Sequence, residues 1–392
     1  MDKRTFHILK RTLTSAVVRA LLQPMKLLQL KKNRVLFSSY LEKQYSCNPR
    51  YISEALEGLY PGKLELVWAF REPEKFAFLK ERGIKTVKAR SLKMAYYALS
   101  SQVICTNSYF KPSLPRRKRQ FYLYTWHGGG AYKQVGRFVQ MPLIEKIQTR
   151  MREGGASLYL SSSKAFTRLT LRESFGYRGE VLEEGMPRND LLLHPDPALK
   201  MEVRKRLGLK DDTHLCLYAP TYRKDTKVHE QGLEYEKVLD ALSRRFGGKW
   251  VMGYRSHHVT MYKDNARLNE GALCLTDYPD MQELLLISDA LITDYSSAIW
   301  DAAVGGKRAF LYAPDLSAYQ SERDFYTDIH TWPFPLAESM DEMTNNILNF
   351  DEDKYAKAVK KHLSDLGCCE SGRAAYLSAR RIGLVTGVEK EK

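Results

Sequence analysis

Hydroxyls, imidazoles and guanidinium groups recur in this chain directly after short apolar runs, which is where they could do chemistry. Ala290-Leu291-Ile292 leads through Thr293 and Asp294 to Ser296 and Ser297, and a helical pattern carrying Ile299, Trp300 and Ala303 follows. A helix N-terminus offers unpaired N–H groups and a partial positive charge, so serine hydroxyls beside it form a seat for phosphate. The same serines would equally serve as ordinary N-caps. Arg255 and His257 stand two apart after Trp250-Val251-Met252-Gly253-Tyr254, and Arg223 follows Ala219-Pro220-Thr221-Tyr222. The rigid fork of a guanidinium suits phosphate oxygens. His127 follows Phe121-Tyr122-Leu123-Tyr124-Thr125-Trp126 and precedes Gly128, Gly129 and Gly130. Such glycines let a backbone approach a ligand closely, and an imidazole there can act as a base near neutral pH. A lone imidazole after a strand is also a common structural residue, and this glycine run lacks the G-x-G-x-x-G frame. Asp294 and Asp301 lie seven apart, and either could instead hold the turn together. No closely spaced carboxylates read as a metal site and no cofactor is implied. A diphosphate leaving group would then depend on helix termini, hydroxyls, Arg and His for its stabilisation.

The elements that position these residues alternate in type. Val35-Leu36-Phe37, Leu64-Glu65-Leu66-Val67-Trp68, Val103-Ile104-Cys105, the 121–126 run and Leu158-Tyr159-Leu160 read as strands, with helical patterns at residues 49–59, 74–82 and 91–100. The alternation resumes with Leu215-Cys216-Leu217-Tyr218, the 250–254 run, Leu291-Ile292 and Ala309-Phe310-Leu311-Tyr312. Strands and helices at this spacing predict parallel sheets covered on both faces, with ligands outside the carboxyl ends of the strands. That edge carries nearly every polar cluster. A change of composition near residues 186–213 marks a domain connection. The expected organisation is a basic amphipathic N-terminal segment over residues 1–30, an acceptor-side α/β domain over 31–190 and a donor-binding α/β domain over 210–382. The two domains are expected to face each other across a cleft.

A chain of 392 residues with 44% hydrophobic and 28% charged content is globular rather than disordered, and long enough for two domains. Its net charge of +16 calls for an anionic partner: a phosphorylated substrate, an anionic membrane or nucleic acid. The six cysteines form no C-x-x-C pair and read as buried thiols in a reducing compartment. No apolar stretch approaches the roughly 18 to 20 residues of a membrane span, and the first residues show no signal core. No acidic residue lies between Asp2 and Glu42, while Lys3, Arg4, Lys10, Arg11, Arg19, Lys26, Lys31, Lys32 and Arg34 are basic. Leu9, Leu13, Ala16, Val17, Ala20 and Leu21 recur among them at helical spacing. This is the pattern of a helix lying on an anionic leaflet, although a helix packed on its own protein with a solvated basic face reads similarly. The expected place is the cytoplasm, peripheral on the inner face of the plasma membrane.

Five stretches taken in order resemble one family. Thr125-Trp126-His127-Gly128, Gly185-Met186-Pro187-Arg188-Asn189-Asp190, Tyr218-Ala219-Pro220-Thr221-Tyr222-Arg223, Arg255-Ser256-His257, and Ile287 through Ser297 occur in the order and spacing of the CDP-glycerol glycerophosphotransferases, the teichoic acid primases and polymerases. The resemblance covers about Val35 to Ile382. It implies a GT-B architecture of two doubly wound domains, and transfer of a polyol phosphate from CDP-glycerol or CDP-ribitol to a hydroxyl of a lipid-linked or glycan acceptor. It also implies roles: His127 as the base on the acceptor, His257 and Arg255 near the donor diphosphate, and Thr293, Ser296 and Ser297 as its hydroxyl seat. Arg323, with Asp328 after it, resembles a family element near the donor. The chain departs from the family in reading His127-Gly128-Gly129-Gly130 for His-Gly-Thr-Pro and Arg255-Ser256-His257-His258 for Arg-Pro-His-Pro. Asp324 replaces a glycine, and Trp332-Pro333-Phe334-Pro335 stands in for Pro-Gly-Pro. A ribitol-phosphate transferase and a GT-B nucleotide-sugar glycosyltransferase are the nearest alternatives. A nucleic-acid-binding protein is a remote one, since no helix-turn-helix, RNA-recognition or zinc signature is present.

Overall fold

The computed structural model describes residues 3–109, 111–139, 143–221, 232–256, 271–322 and 324–390. It divides into two compact units, each built on its own parallel sheet. The first contains residues 1–127, 135–190 and 369–392, and the second 128–134 and 191–368.

In the first unit the strands are β1 (Lys31–Ser38), β2 (Glu65–Phe70), β3 (Lys85–Lys88), β4 (Ser101–Thr106), β5 (Phe121–Tyr124), β6 (Leu158–Leu160) and β7 (Glu180–Leu182). They lie in the order β3-β2-β1-β4-β5-β6-β7. Val35, Leu36 and Phe37 are buried on both sides of the sheet, as expected for a central parallel strand. Phe37, Trp68 and Phe70 stack along one face with ring centroids 5.3 and 5.6 Å apart. After β6 the chain enters a π-helix over Phe166–Ser174, a wide-turn form that no sequence pattern announces.

The second unit repeats the plan with β8 (Thr213–Tyr218), β9 (Lys249–Tyr254), β10 (Ala272–Cys274), β11 (Ala290–Thr293), β12 (Arg308–Tyr312) and β13 (Leu336–Ala337), in the order β10-β9-β8-β11-β12-β13. In both sheets the chain lays its first three strands in one direction and then resumes on the other side of the first, the doubly wound arrangement of GT-B domains. The reversal creates a crevice at the carboxyl ends of β1 and β4 in one unit, and of β8 and β11 in the other.

Two placements differ from the sequence expectation. The sequence pattern gives residues 31–190 to the first domain and 210–382 to the second, yet residues 128–134 belong to the second unit and from Cys369 onward the chain belongs to the first. The helix Ala374–Thr386 buries Ala379 and Ile382 in the first core, and the Asp190 carboxylate accepts the N–H groups of Ala374 and Ala375 at its start. The cysteines are not uniformly buried either: Cys47, Cys105 and Cys216 are, Cys368 and Cys369 are half-buried, and Cys274 is exposed. The reason is position, because Cys274 ends the edge strand β10.

Candidate active site

At the carboxyl edge of the first sheet, β1 runs into Tyr40, Leu41 and Glu42, all left-handed with φ of 45°, 56° and 62°. Non-glycine residues enter this region only when their surroundings hold them there. Asn107, fully buried after β4, supplies the hold: its Oδ1 accepts the Tyr40 N–H at 2.8 Å and its Nδ2 donates to Ser39 Oγ at 3.1 Å. The main-chain oxygen of Asn107 lies 3.0 Å from Nδ1 of His127. A carbonyl oxygen can only accept, so Nδ1 of the neutral ring carries the proton and Nε2 is the basic nitrogen. His127 itself is exposed. Its ring stacks on Trp126 with centroids 4.4 Å apart, and Trp126 meets Phe175, just past the π-helix, at 4.9 Å.

Two of the three glycines after His127 serve packing. In the second unit a Cβ on Gly129 would stand 2.3 Å from Trp300 Cδ1, and one on Gly130 would stand 2.6 Å from Trp300 Cε3. Trp300 is completely buried and cannot retreat. Gly130 also has φ +74°, a left-handed value. Two residues on, Tyr132 places its ring 4.5 Å from that of Trp332 and its hydroxyl 3.0 Å from Nε2 of His362. Burial pushes the His362 pKa down to about 4 and the Tyr132 phenol up, so Tyr132 donates and His362 accepts as a neutral ring. Gln134 N–H bonds to Asp324 O and Tyr326 N–H to Tyr132 O, tying residues 132–134 to 324–326.

At the edge of the second sheet the expected donor-binding residues divide. Thr293 is fully buried and donates from Oγ1 to Ala219 O at 2.7 Å. Asp294 accepts the Thr221 N–H at 2.9 Å, the Thr221 hydroxyl at 2.6 Å and the Tyr295 N–H at 2.5 Å. The two residues thus hold the loop after β8 in place, the turn-holding role that its spacing left open for Asp294. Ser296 and Ser297 are half-buried and precede the helix Ala298–Val304. Ser296 Oγ accepts the Ala298 N–H at 3.3 Å, whereas Ser297, the N-cap by position, makes no side-chain cap bond. Capping therefore falls to Ser296, one residue earlier than N-cap position implies. Arg255 follows β9 with its Nη1 donating to Tyr278 O at 2.7 Å. Arg223, His257 and Arg323 lie outside the described residues. Among the described residues no three His, Cys, Asp or Glu side chains are grouped to hold a metal ion.

Sequence reasoning does not single out Asn48, Asn107, Phe175 or Glu370. Only Asn107 carries a local signal, as a polar residue ending a strand; the others act through contacts distant in sequence. Glu370 explains most of the Gly185–Asp190 motif, because its carboxylate accepts the Met186 N–H and the Asn189 Nδ2, each at 2.9 Å.

The family model for CDP-Glycerol:Poly(glycerophosphate) glycerophosphotransferase matches residues 21–382. The chain is 31% identical over 344 residues to the teichoic acid poly(glycerol phosphate) polymerase of Bacillus spizizenii, covering 84% of this chain and 87% of that protein. It is 27% identical over 385 residues to the teichoic acid glycerol-phosphate transferase of Staphylococcus aureus, covering 94% and 98%. Against two further poly(glycerol phosphate) polymerases it spans about half their length, 48% and 46%. Among solved structures, the wall teichoic acid polymerase TagF with CDPG matches at a TM-score of 0.81 and 25% identity over 99% of both chains. The chain belongs to the CDP-glycerol:poly(glycerophosphate) glycerophosphotransferase family.

Proposed function

We propose that this protein transfers glycerol phosphate from CDP-glycerol to a hydroxyl of a lipid-linked or glycan acceptor in the synthesis of a teichoic acid or capsule-type polymer. The observation that carries the chemistry is the His127 ring, exposed and held by the Asn107 carbonyl in the tautomer whose Nε2 is basic. Nε2 takes the acceptor hydroxyl's proton as that oxygen attacks the glycerol-bearing phosphorus. The bond from this phosphorus to the CMP oxygen breaks, and CMP departs with the electron pair. Ser296, Ser297 and Arg255 stabilise the diphosphate as its charge shifts, aided by Arg223, His257 and Arg323. Thr293 and Asp294 act one step back, by fixing the Ala219–Thr221 loop. Glycerol is favoured over ribitol because the relative at 31% identity over most of both chains is named for glycerol phosphate, whereas the teichoic acid ribitol-phosphate primase of Bacillus spizizenii, also matched over most of both chains, is at 26%. Comparing CDP-glycerol with CDP-ribitol on a lipid-linked acceptor, with the product weighed by mass spectrometry, tests the assignment.

We further infer that the enzyme works at an anionic membrane surface. Among the described residues no helix is long and apolar enough to cross a membrane. The helix Lys3–Leu21, however, turns Leu9, Leu13, Val17 and Leu21 outward, with Leu13 68% and Leu21 74% exposed. Hydrogen bonds join it to the rest of the unit: Thr12 Oγ1 accepts from Gln148 Nε2 at 2.6 Å, and Arg11 reaches the Tyr109 hydroxyl at 3.4 Å. A helix that seats a threonine face inward and leaves leucines outside suits an interface of acyl chains and headgroups. Lys10, Arg11 and Arg19 supply the charge that anionic lipid attracts.

A further inference from the structure

The Gly185–Asp190 motif takes no direct part in the proposed chemistry, yet one buried side chain joins it to the end of β5. Asn48, at the start of the helix Cys47–Leu59, is completely buried. Its Nδ2 donates to the main-chain oxygens of Thr125 at 3.2 Å and Trp126 at 3.1 Å, with the Met186 sulfur 3.5 Å away. Its Oδ1 accepts the Arg188 N–H at 3.2 Å. Two carbonyls on one side and an N–H on the other determine which way the amide faces.

These two carbonyls immediately precede His127. The conformation between them is unusual, because Trp126 is left-handed with φ +55°. A tryptophan adopts that region only when its surroundings over-determine it. The peptide turned by this φ directs the His127 ring onto the Asn107 carbonyl, 3.0 Å from Nδ1.

We propose that Asn48 is a positioning residue for His127: by pinning the Thr125 and Trp126 carbonyls to the Arg188 N–H, it holds the backbone turn that sets the tautomer and aim of the imidazole. The proposal rests on His127 acting as the base. It gives the Gly185–Asp190 motif a purpose, as the anchor of the asparagine that holds the base. Glu370 fastens the motif through Met186 N–H and Asn189 Nδ2, and Asn48 carries that rigidity to β5.

Asn48→Asp is the sharpest test, since the carboxylate is isosteric and can still accept the Arg188 N–H but has no donor for the two carbonyls. The expected result is a loss of kcat of roughly 100-fold, as a small misplacement of a catalytic group produces, with KM for CDP-glycerol unchanged. The His127 ring nitrogen shifts, read by NMR on the resting protein, should move from a single Nδ1–H tautomer to an average of both. Asn48→Ser, read by the same two signals, serves if the aspartate variant does not fold. Ser91→Ala is the control: it removes the cap of the helix Leu92–Ser100, whose Met94 N–H the Ser91 hydroxyl accepts at 3.0 Å, far from the two carbonyls and from the Gly185–Asp190 motif, so it should lower the melting temperature and leave kcat per folded molecule and the ring shifts as they are. Wild-type kcat and ring shifts in a folded Asn48 variant would overturn the proposal, as would equal losses in Ser91→Ala. Full turnover by His127→Ala would instead overturn the base assignment, while the ring shifts of Asn48→Asp would still report whether Asn48 holds the imidazole.

Discussion

The Nδ1 of His127 faces the main-chain oxygen of Asn107 at 3.0 Å, and the same asparagine's side chain bonds Tyr40 N–H and Ser39 Oγ. One buried residue thus holds the left-handed turn after β1 and orients the imidazole after β5. His127→Ala should lower turnover by about 100- to 10,000-fold, the usual cost of removing a general base. Donor affinity, measured by calorimetry with CDP-glycerol, should stay near wild type because the ring acts on the acceptor. Near-normal turnover would remove His127 from the mechanism.

The pair Ser296→Ala and Ser297→Ala addresses the donor side. Each hydroxyl lost from the diphosphate should cost about 1.5 to 3 kcal/mol of binding. Ser297 should contribute more, since its hydroxyl makes no cap bond whereas Ser296 Oγ already accepts the Ala298 N–H. A folded double variant with unchanged CDP-glycerol affinity would leave both serines as helix-terminus residues alone.

A buried and a half-buried titrating group pull stability in opposite directions with pH. Burial pushes the Glu153 carboxyl up to about 7, against the pull of the Tyr159 hydroxyl bond at 2.6 Å and of Arg152. Between about pH 4.5, where the unfolded chain ionises, and about 7 the folded state binds the extra proton, so this group's contribution falls as pH rises. His362, held down to about 4 by burial, acts in reverse: the unfolded chain takes up the proton first, and stability falls as pH drops from about 6.5 towards 4. Glu153→Gln should therefore stabilise the protein at about pH 8, by up to about 3 kcal/mol, and have much less effect at about pH 4.5. Thermal unfolding of wild type and variant at the two pH values measures this. An equal shift at both would show that Glu153 does not titrate as described.

Much of the architecture is legible in the chain because parallel strands announce themselves as short apolar runs: Val35-Leu36-Phe37 and Leu215-Cys216-Leu217-Tyr218 both prove central. The strands that sequence reading passes over, β3, β7, β10 and β13, are short, of two to four residues. The polar loops that follow the strands are legible too. What each side chain does is not, because a hydroxyl at a strand end looks the same whether it faces a ligand or a neighbouring loop. Thr293 faces Ala219, and Gly129 yields to Trp300, 171 positions later in the chain. The return of residues 369–392 to the first unit is equally long-range, since it depends on Asp190 capping a helix that begins at Ala374.

Deleting residues 1–20 tests the membrane assignment while sparing Leu22, which is buried, and Leu28, whose carbonyl accepts from Arg117. With each basic side chain near the surface worth about 1 kcal/mol, the truncated protein should leave anionic vesicles at physiological salt. Activity on a short soluble acceptor should persist. Retention on vesicles would place the anchoring elsewhere, and loss of soluble activity would make the helix part of the folded core.

The most direct measurement is of the transferred group itself. The purified protein, given CDP-glycerol, CDP-ribitol or a nucleotide sugar in separate reactions with one lipid-linked acceptor, should release CMP and add glycerol phosphate only from the first, as read by product mass. His127→Ala in the same assay should add nothing above background. Ribitol phosphate added in preference to glycerol phosphate would contradict the substrate assignment. A sugar transferred without CMP release would contradict the reaction.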